Sequence, residues 1–305
     1  MRLAPVVLFV YNRKEHTERT LQALEKNELA GESDLIIFAD GPKKPGDEKV
    51  AGVRAFLEQY ESGSGFRSIR IVKAEKNKGL ANSIISGVTE VIGQYGRVIV
   101  LEDDLITSPD FLHYMNGALD FYENEENIWS ISGFNFPLRS LKHYPHDVFY
   151  TYRGCSTGWG TWRDRWSTID WEVSTYHDFL KDEAWQRRFS RGGKDLPGML
   201  IDQMENGLDS WAVRWVYEQS NQDRYSIYPK ISRVQNIGFD GTGIHSEADN
   251  SYDTILSDGR KDATFEVLQP EKRLLRELNS KFEYTLYKKI ARRLKKIPLL
   301  GKYVR

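Results

Sequence analysis

Short apolar runs alternate with segments of helical spacing in the first third of the chain, and this alternation constrains the fold more than any other feature. The apolar runs cover residues 6–10, 35–39, 69–72 and 98–101, and the helical segments between them cover residues 16–26, 49–60 and 80–92. Strands that alternate with helices form parallel sheets with helices on both faces. We therefore predict an α/β half over residues 1–125.

The pattern changes in the remainder of the chain. A helix is predicted to end near residue 124, and an aromatic stretch that carries most of the eight tryptophans follows it. This stretch does not repeat the first half. We predict that residues 126–262 complete the same domain and that residues 263–305 form a separate helical tail.

The tail differs from the rest of the chain in charge. Residues 281–305 contain nine Lys and Arg against one Glu, whereas the whole chain has a net charge of −1. Apolar side chains recur there at helical spacing, so the tail suits an anionic membrane surface. The alternative is a solubilising helix packed on the domain. Nucleic acid is not expected as a partner, because the rest of the chain is acidic and has no nucleic-acid motif.

Cysteine usage and hydropathy indicate a compartment. Cys155 is the single cysteine, so an internal disulfide is excluded and a reducing cytoplasm fits best. We expect Cys155 to be a small buried residue and not a nucleophile. No apolar run approaches the roughly 20 residues that cross a bilayer. The predicted location is the cytoplasm, peripheral at the inner face of the cell membrane.

Three consecutive carboxylates, Glu102, Asp103 and Asp104, follow the fourth apolar run. Ligands of α/β sheets bind beyond the carboxyl ends of the strands. Buried carboxylates repel one another, so a cation is expected beside them. Mg²⁺ or Mn²⁺ fits, because hard cations combine carboxylate oxygens with substrate phosphates. The alternative is a solvated loop.

Two motifs carry a resemblance to a known family. The first is Val-Leu-Glu-Asp-Asp-Leu at residues 100–105 with Pro-Asp-Phe at 109–111, and the second is Asp-Ser-Trp at 209–211 with Pro-Lys-Ile-Ser-Arg at 229–233. In this order they resemble the GT-A glycosyltransferases, in particular N-acetylglucosaminyltransferase I and the protein O-mannose enzyme. The early segments at 9–13 and 77–82 resemble the bacterial family 2 glycosyltransferases. The chain departs from the pattern in the spacing from Trp211 to Arg214 and in the order of Gly238 and Phe239.

The resemblance implies a GT-A fold, a Rossmann-like mixed sheet flanked by helices, with the acceptor side in residues 126–262. It also implies transfer of a sugar from a nucleotide diphosphate donor, a UDP-sugar such as UDP-GlcNAc. The acceptor would be a glycan or a lipid-linked saccharide in surface polysaccharide assembly. The cofactor would be Mn²⁺ or Mg²⁺.

The resemblance also assigns donor-side residues. Asp104 would bind the metal, Asp103 the ribose and Glu102 the donor sugar. Asp40 would contact the uracil, and Arg13 the base or its phosphate. For the last two residues a turn and a helix start are the alternatives.

Further candidates come from residue chemistry and position, and for Trp159 and His245 also from the resemblance. Lys78 could face the diphosphate, although an exposed lysine is the alternative. Asp209 is the candidate general base for an inverting displacement, with partial burial beside Trp211 raising its pKa, or else a helix cap. Trp159 could stack on a sugar or belong to the core. His245 could contact the metal or a phosphate, or lie on the surface.

Two other classes of function stay open. A strand-end acidic cluster also suits a metal-dependent nucleotidyltransferase or a phosphoester hydrolase, although no phosphate-binding glycine loop follows the first run. A non-catalytic, membrane-docked module that binds nucleotide sugars is the second alternative, and it would not need Asp209.

Overall fold

The computed structural model describes residues 1–238, 254–259 and 262–282 of the 305-residue chain. Its centre is one eight-stranded mixed sheet. In chain order the strands are β1 (Val6–Val10), β2 (Asp34–Ala39), β3 (Ser68–Lys73), β4 (Arg97–Glu102), β5 (Leu105–Thr107), β6 (Ile128–Ser132), β7 (Val148–Thr151), β8 (Trp159–Trp162), β9 (Tyr225–Pro229) and β10 (Val234–Asn236). The order across the sheet is β3-β2-β1-β4-β8-β6-β9-β7, and β10 pairs with β5 in a separate ribbon.

The first half of the sheet is parallel, as predicted. Strand β1 pairs in parallel with β2 on one side and with β4 on the other. The four runs recognised in the sequence correspond to β1 to β4. The predicted fold class, a Rossmann-like mixed sheet flanked by helices, is confirmed.

Helices cover both faces of the sheet. In chain order they are α1 (Lys14–Glu25), α2 (Glu48–Glu61), α3 (Leu80–Tyr95), α4 (Phe111–Phe121), α5 (Arg163–Trp166), α6 (Tyr176–Phe179), α7 (Glu183–Phe189), α8 (Leu196–Glu205), α9 (Trp211–Asn221) and α10 (Lys272–Ser280). Alternate side chains of β1 enter different cores: Leu8 packs with α1, α2 and α4, whereas Val7 packs with α3 and α9. The period of two along a strand therefore divides the interior into two layers.

The second half continues the same sheet. Strand β8 runs antiparallel to β4 and to β6, β6 is parallel to β9, and β7 closes the edge antiparallel to β9. Residues 126–238 therefore extend the sheet begun by the first half.

The last described helix, α10, packs on the domain. Leu274 and Leu278 are buried in the main core, and the Glu277 carboxylate accepts hydrogen bonds from the backbone N–H groups of Arg139 and Ser140. Residues 283–305, which carry most of the predicted basic tail, lie outside the described residues. Within the described ranges, no helix is long and apolar enough to cross a bilayer.

Candidate active site

The acidic triplet lies at the carboxyl end of β4, where the chain turns into β5. Its immediate neighbours come from the end of β1, because β1 and β4 are paired in parallel. Tyr11 N–H donates to Asp103 Oδ2 at 3.4 Å. The Thr20 hydroxyl of α1 donates to the Asp103 carbonyl and accepts from Leu105 N–H, which fixes the turn. The parallel sheet thus places the triplet at the edge where ligands bind in such folds.

All three carboxyl groups of the triplet have raised pKa values. Burial, followed by the charges of Asp104 and Asp103, raises the pKa of Glu102 to about 8. Burial and the charge of Asp104 raise the pKa of Asp103 to about 7. Burial also raises the pKa of Asp104, against the opposing effect of Arg13. The three groups together resist holding three negative charges, so a further cation would stabilise their ionised form.

Arg13 supplies positive charge to the triplet in this structure. Its Nη1 donates to Asp104 Oδ2 at 3.0 Å, and its Nη2 lies 2.7 Å from His16 Nε2. The resemblance predicts that Arg13 contacts the base or phosphate of the donor. In the structure its guanidinium contacts Asp104, the predicted metal ligand. The helix start at Lys14 explains the position, because Arg13 immediately precedes α1 and His16 lies in its first turn, just after the end of β1.

The β5–β10 ribbon brings a second segment against Asp104. Ile237 N–H donates to the Asp104 carbonyl at 2.9 Å, and Gly238 N–H donates to Asn236 Oδ1 at 2.6 Å. A Cβ on Gly238 would lie 2.0 Å from Asp104 Oδ2. Position 238 therefore accepts only glycine while Asp104 keeps this conformation. Sequence reasoning did not assign Asn236 and Gly238 to the site, although the glycine of the second motif was the available signal.

One cavity joins the acidic triplet to the second motif. This cavity, called the acidic cavity below, has a volume of 480 Å³, which is within the range of sites that bind small ligands. Its polar lining includes Glu102, Asp104, Asp209 and Asn236. Strands β4 and β10 and the start of α9 thus present their side chains to one space.

Asp209 is exposed at the mouth of the acidic cavity. The predicted partial burial beside Trp211 is wrong, because the chain before α9 runs along the surface. The helix-cap alternative is also wrong: Ser210 is the N-cap, and its hydroxyl accepts from Val213 N–H at 3.3 Å. A Cβ built on Gly79, at the start of α3, would lie 3.6 Å from Asp209 Oδ2, so these two loops face each other.

The donor atoms around Asp104 fit a hard divalent cation. Among the described residues, no three His, Cys, Asp or Glu side chains form a metal-binding group. Mg²⁺ and Mn²⁺ bound with a nucleotide diphosphate need only one or two protein carboxylates, since phosphates and water complete the shell. Glu102, Asp104 and Asn236 supply oxygens of the required kind. Arg13 occupies Asp104 Oδ2, so a cation would use the other oxygen or displace the arginine.

Asp40 has a different role from the predicted contact with uracil. Its carboxylate accepts four hydrogen bonds, from the backbone N–H groups of Gly41, Lys78 and Gly79 and from Asn77 Nδ2. These bonds fill the acceptor positions of a carboxylate. Asp40 instead stabilises the turn before α3, because the end of β2 lies beside that turn. Lys78 is exposed and borders a separate cavity of 500 Å³.

The prediction that Trp159 stacks on the donor is wrong. Trp159 opens β8 in the centre of the sheet and has no exposed surface. Its ring stacks on Trp166 and Trp211 at centroid distances of 5.7 and 5.1 Å and contacts Trp215 at 4.6 Å. Aromatic faces that pack on one another in this way belong to the core.

Two other predictions have simple outcomes. His245 lies outside the described residues, so its contact with a metal or phosphate stays a prediction. Cys155 is partly exposed, not buried, because it lies in the irregular segment between β7 and β8.

An ion pair joins the two sequence motifs. Arg233 Nε of the second motif donates to Asp110 Oδ2 of the first at 3.3 Å, and both side chains are buried. Ser108 and Ser257 donate to the same carboxylate at 2.6 and 2.8 Å. The guanidinium lies 4.6 Å from the centre of the Tyr114 ring. The two motifs, which are far apart in the sequence, therefore form one structural unit.

Comparison with known proteins supports the resemblance. The sequence model of the GNT-I family matches residues 87–192. An alpha-1,3-mannosyl-glycoprotein 2-beta-N-acetylglucosaminyltransferase of Arabidopsis thaliana is 30% identical over 105 residues, which are 32% of this chain and 23% of that protein. The resemblance to N-acetylglucosaminyltransferase I is confirmed. The family model covers the stretch that contains β4, the acidic triplet, β6 and β8. The aligned residues make up less than a quarter of the Arabidopsis protein.

Solved structures show weaker likenesses. S. aureus TarS 1–349 in complex with UDP-GlcNAc has a TM-score of 0.33 and 14% identity, over 43% of this chain and 34% of that one. The mannosyltransferase PcManGT from Pyrobaculum calidifontis, in complex with GDP-Man and Mn²⁺, has a TM-score of 0.40 and 10% identity, over 73% and 74% of the two chains.

Proposed function

We propose that this protein is a metal-dependent glycosyltransferase that transfers a sugar from a nucleotide diphosphate donor with inversion at the anomeric carbon. The observation that carries the proposal is that Asp104 and Asp209 line the same cavity, although they belong to two motifs far apart in the sequence. A leaving-group site and a proton acceptor on one cavity are what a direct displacement requires.

In the proposed reaction, the acidic triplet lies beside the diphosphate of the donor. A divalent cation held there would neutralise the charge that develops on the departing diphosphate. Asp104 is the proposed protein ligand, with Glu102 and Asn236 beside it. Arg13 is close enough to move from Asp104 to the diphosphate, because its guanidinium already lies at this end of β1.

In the proposed reaction, Asp209 acts on the acceptor. Its exposed carboxylate can accept the proton of an acceptor hydroxyl while that oxygen attacks the sugar carbon from the side opposite the leaving group. One displacement inverts the anomeric configuration. Asp209 faces Gly79 across the mouth of the cavity, so an acceptor would enter between the start of α3 and the start of α9.

The identity of the substrates is proposed from two sources. The curated relative is named as an N-acetylglucosaminyltransferase, which supports UDP-GlcNAc as the donor to test first. The basic charge of residues 281–305 supports a saccharide acceptor at an anionic membrane surface, such as a lipid-linked saccharide of surface polysaccharide assembly.

The first experiment is binding of UDP-GlcNAc, UDP-glucose, UDP-galactose and GDP-mannose by calorimetry, with and without Mn²⁺. We expect one donor to bind in a Mn²⁺-dependent manner and Asp104→Ala to weaken that binding by at least tenfold, or about 1.4 kcal/mol. Asp178→Ala is the matched control, because Asp178 is an exposed aspartate on α6, away from the acidic cavity. Binding that ignores both Mn²⁺ and Asp104→Ala would refute the donor site.

A second experiment tests the proton acceptor. Asp209→Asn should retain donor binding and lower kcat about 10²- to 10⁴-fold, the usual contribution of a general base. Steady-state transfer to an acceptor measures kcat, and proton NMR of the product gives the anomeric configuration. An unchanged kcat would remove Asp209 from the mechanism, and retention of configuration would remove the single displacement.

A further inference from the structure

A second cavity adjoins the acidic cavity on the acceptor side. It has a volume of 230 Å³ and is called the apolar cavity here. The residues that line both cavities are Ser156, Thr157, Met199, Ser210 and Ala212. Because the shared residues include Ser210, the neighbour of Asp209, a molecule with one end at Asp209 can extend into the second space.

The lining of the apolar cavity offers mainly hydrocarbon and aromatic surface. Away from the residues shared with the acidic cavity, the lining includes Phe134, Phe136, Leu196, Val213, Val216 and Tyr228, all of them buried. The charged group in the lining, Arg153, is held by Asp195 through two hydrogen bonds of 2.9 Å, and its guanidinium lies 3.7 Å from the Phe282 ring centre.

These contacts decide between a sugar ring and an apolar group as the occupant. Buried sugar hydroxyls need hydrogen-bonding partners, and burial without them costs several kcal/mol. In the described lining the hydroxyl groups of Ser156, Thr157 and Ser210 belong to residues shared with the acidic cavity, and away from these residues the lining is mainly apolar, with the hydroxyl group of Tyr228. An apolar cavity of about 150 Å³ holds a benzene ring, so 230 Å³ accommodates an aryl group or a short alkyl segment.

The course of the chain indicates where such a group comes from. Phe282 lines the apolar cavity, and the sequence continues from it into the basic residues of the tail. If the tail binds an anionic membrane, as its charge predicts, Phe282 connects the lining of the cavity along the chain to the lipid-binding residues.

We propose that the apolar cavity binds the alkyl or aryl aglycone of an amphiphilic saccharide acceptor, whose hydroxyl group is then presented to Asp209. This inference rests on the proposed function, because it names the class of acceptor for the same site. The saccharide part would lie in the acidic cavity and the aglycone in the apolar cavity.

Cys155 is a natural reporter of this cavity, since it lines the cavity and is the single cysteine of the chain. The experiment follows the rate at which N-ethylmaleimide modifies the intact protein in the presence of octyl β-D-glucoside below its micellar concentration. We expect at least a tenfold decrease in the rate with the octyl glucoside and no change with methyl β-D-glucoside or with UDP and Mn²⁺. Equal rates in all three conditions would overturn the proposal.

A variant and a second readout strengthen the test. Val216→Phe should fill the cavity and abolish octyl glucoside binding measured by calorimetry, without changing the binding of UDP and Mn²⁺, because Val216 lines only the apolar cavity. In a homologous series of alkyl glycosides, affinity for the unaltered protein should rise about fourfold per buried methylene and then level off. Affinity independent of chain length would overturn the proposal.

These measurements distinguish failure of the proposed glycosyltransferase function from failure of the proposed use of the apolar cavity. Protection of Cys155 without transfer from any nucleotide sugar would leave the apolar cavity established and refute the glycosyltransferase. Transfer with the same KM for methyl and octyl acceptors would establish the enzyme and refute this use of the cavity.

Discussion

Two aspartate–arginine pairs of this protein have similar chemistry and different surroundings. Asp104 and Arg13 are 3.0 Å apart, with Glu102 and Asp103 adding like charge beside them. Asp110 and Arg233 are 3.3 Å apart and are surrounded by hydroxyl donors and an aromatic ring. The side chains of the second pair are 9% and 5% exposed, compared with 20% and 15% in the first.

The comparison indicates that Asp104 and Asp110, two aspartates of the first motif, have different roles. The second pair is satisfied within the protein, so its loss would leave a buried charge without a partner. The first pair leaves an excess of negative charge at the edge of a cavity, which is a reason for it to bind a cationic ligand. Asp110 and Arg233, which are paired and hydrogen-bonded, therefore support the fold, whereas the crowded carboxylates beside Asp104 indicate a ligand site.

The largest expected effect tests the supporting pair. Asp110→Ala should lower the free energy of unfolding by about 3–5 kcal/mol, because it leaves Arg233 buried and unpaired. Asp104→Ala should change it by less than about 1 kcal/mol or raise it, since one of three crowded carboxylates is removed. Urea denaturation of both variants makes the comparison. Equal losses in the two variants would mean that the pairs do not differ in role.

A smaller effect is expected from the residue that packs on Asp104. Gly238→Ala should weaken Mn²⁺-dependent nucleotide binding about 10- to 100-fold, or about 1.4–2.8 kcal/mol, because the added Cβ clashes with the carboxylate. The control is Gly52→Ala in α2, where a Cβ meets nothing within 4 Å. Calorimetry measures the binding of both. Unchanged binding in Gly238→Ala would show that Asp104 moves freely and is not held by the β10 segment.

The last prediction concerns the dependence of stability on pH. The pKa of Glu102 is raised from 4.5 to about 8, so the folded state binds this proton more tightly than the unfolded chain. The free energy of unfolding should therefore fall as pH rises between these two values, with a limiting slope of about 1.4 kcal/mol per pH unit for each proton. Glu102→Gln should flatten the curve. Identical curves for the two proteins would contradict the charge excess assigned to the triplet.

The first half of the fold could be predicted because its information is local. Each of the runs that became β1 to β4 is a short apolar stretch flanked by polar residues, and the helices between them have regular apolar spacing. The position of Glu102, Asp103 and Asp104 at the strand ends followed from the same pattern, since parallel strands all end at one edge.

The errors concern residues whose surroundings come from distant segments. Trp159 resembles a ligand-stacking residue in sequence, yet three tryptophans from α5 and α9 pack against its ring. Asp40 follows a strand as predicted, but the turn at residues 77–79 supplies three of the four hydrogen bonds that its carboxylate accepts, and Gly41 supplies the fourth. Such partners are brought together by the tertiary fold, so local periodicity cannot reveal them.

The position of β8 has a consequence for any attempt to divide this protein. Strand β8 pairs with β4 on one side and with β6 on the other, so it closes the open side of the parallel half. A fragment that ends at residue 125 would keep β1 to β4, but the edge of β4 that pairs with β8 would lose its partner. Bare strand edges of this kind recruit other chains. The isolated half is therefore expected to polymerise edge to edge instead of folding as a monomer that binds nucleotide.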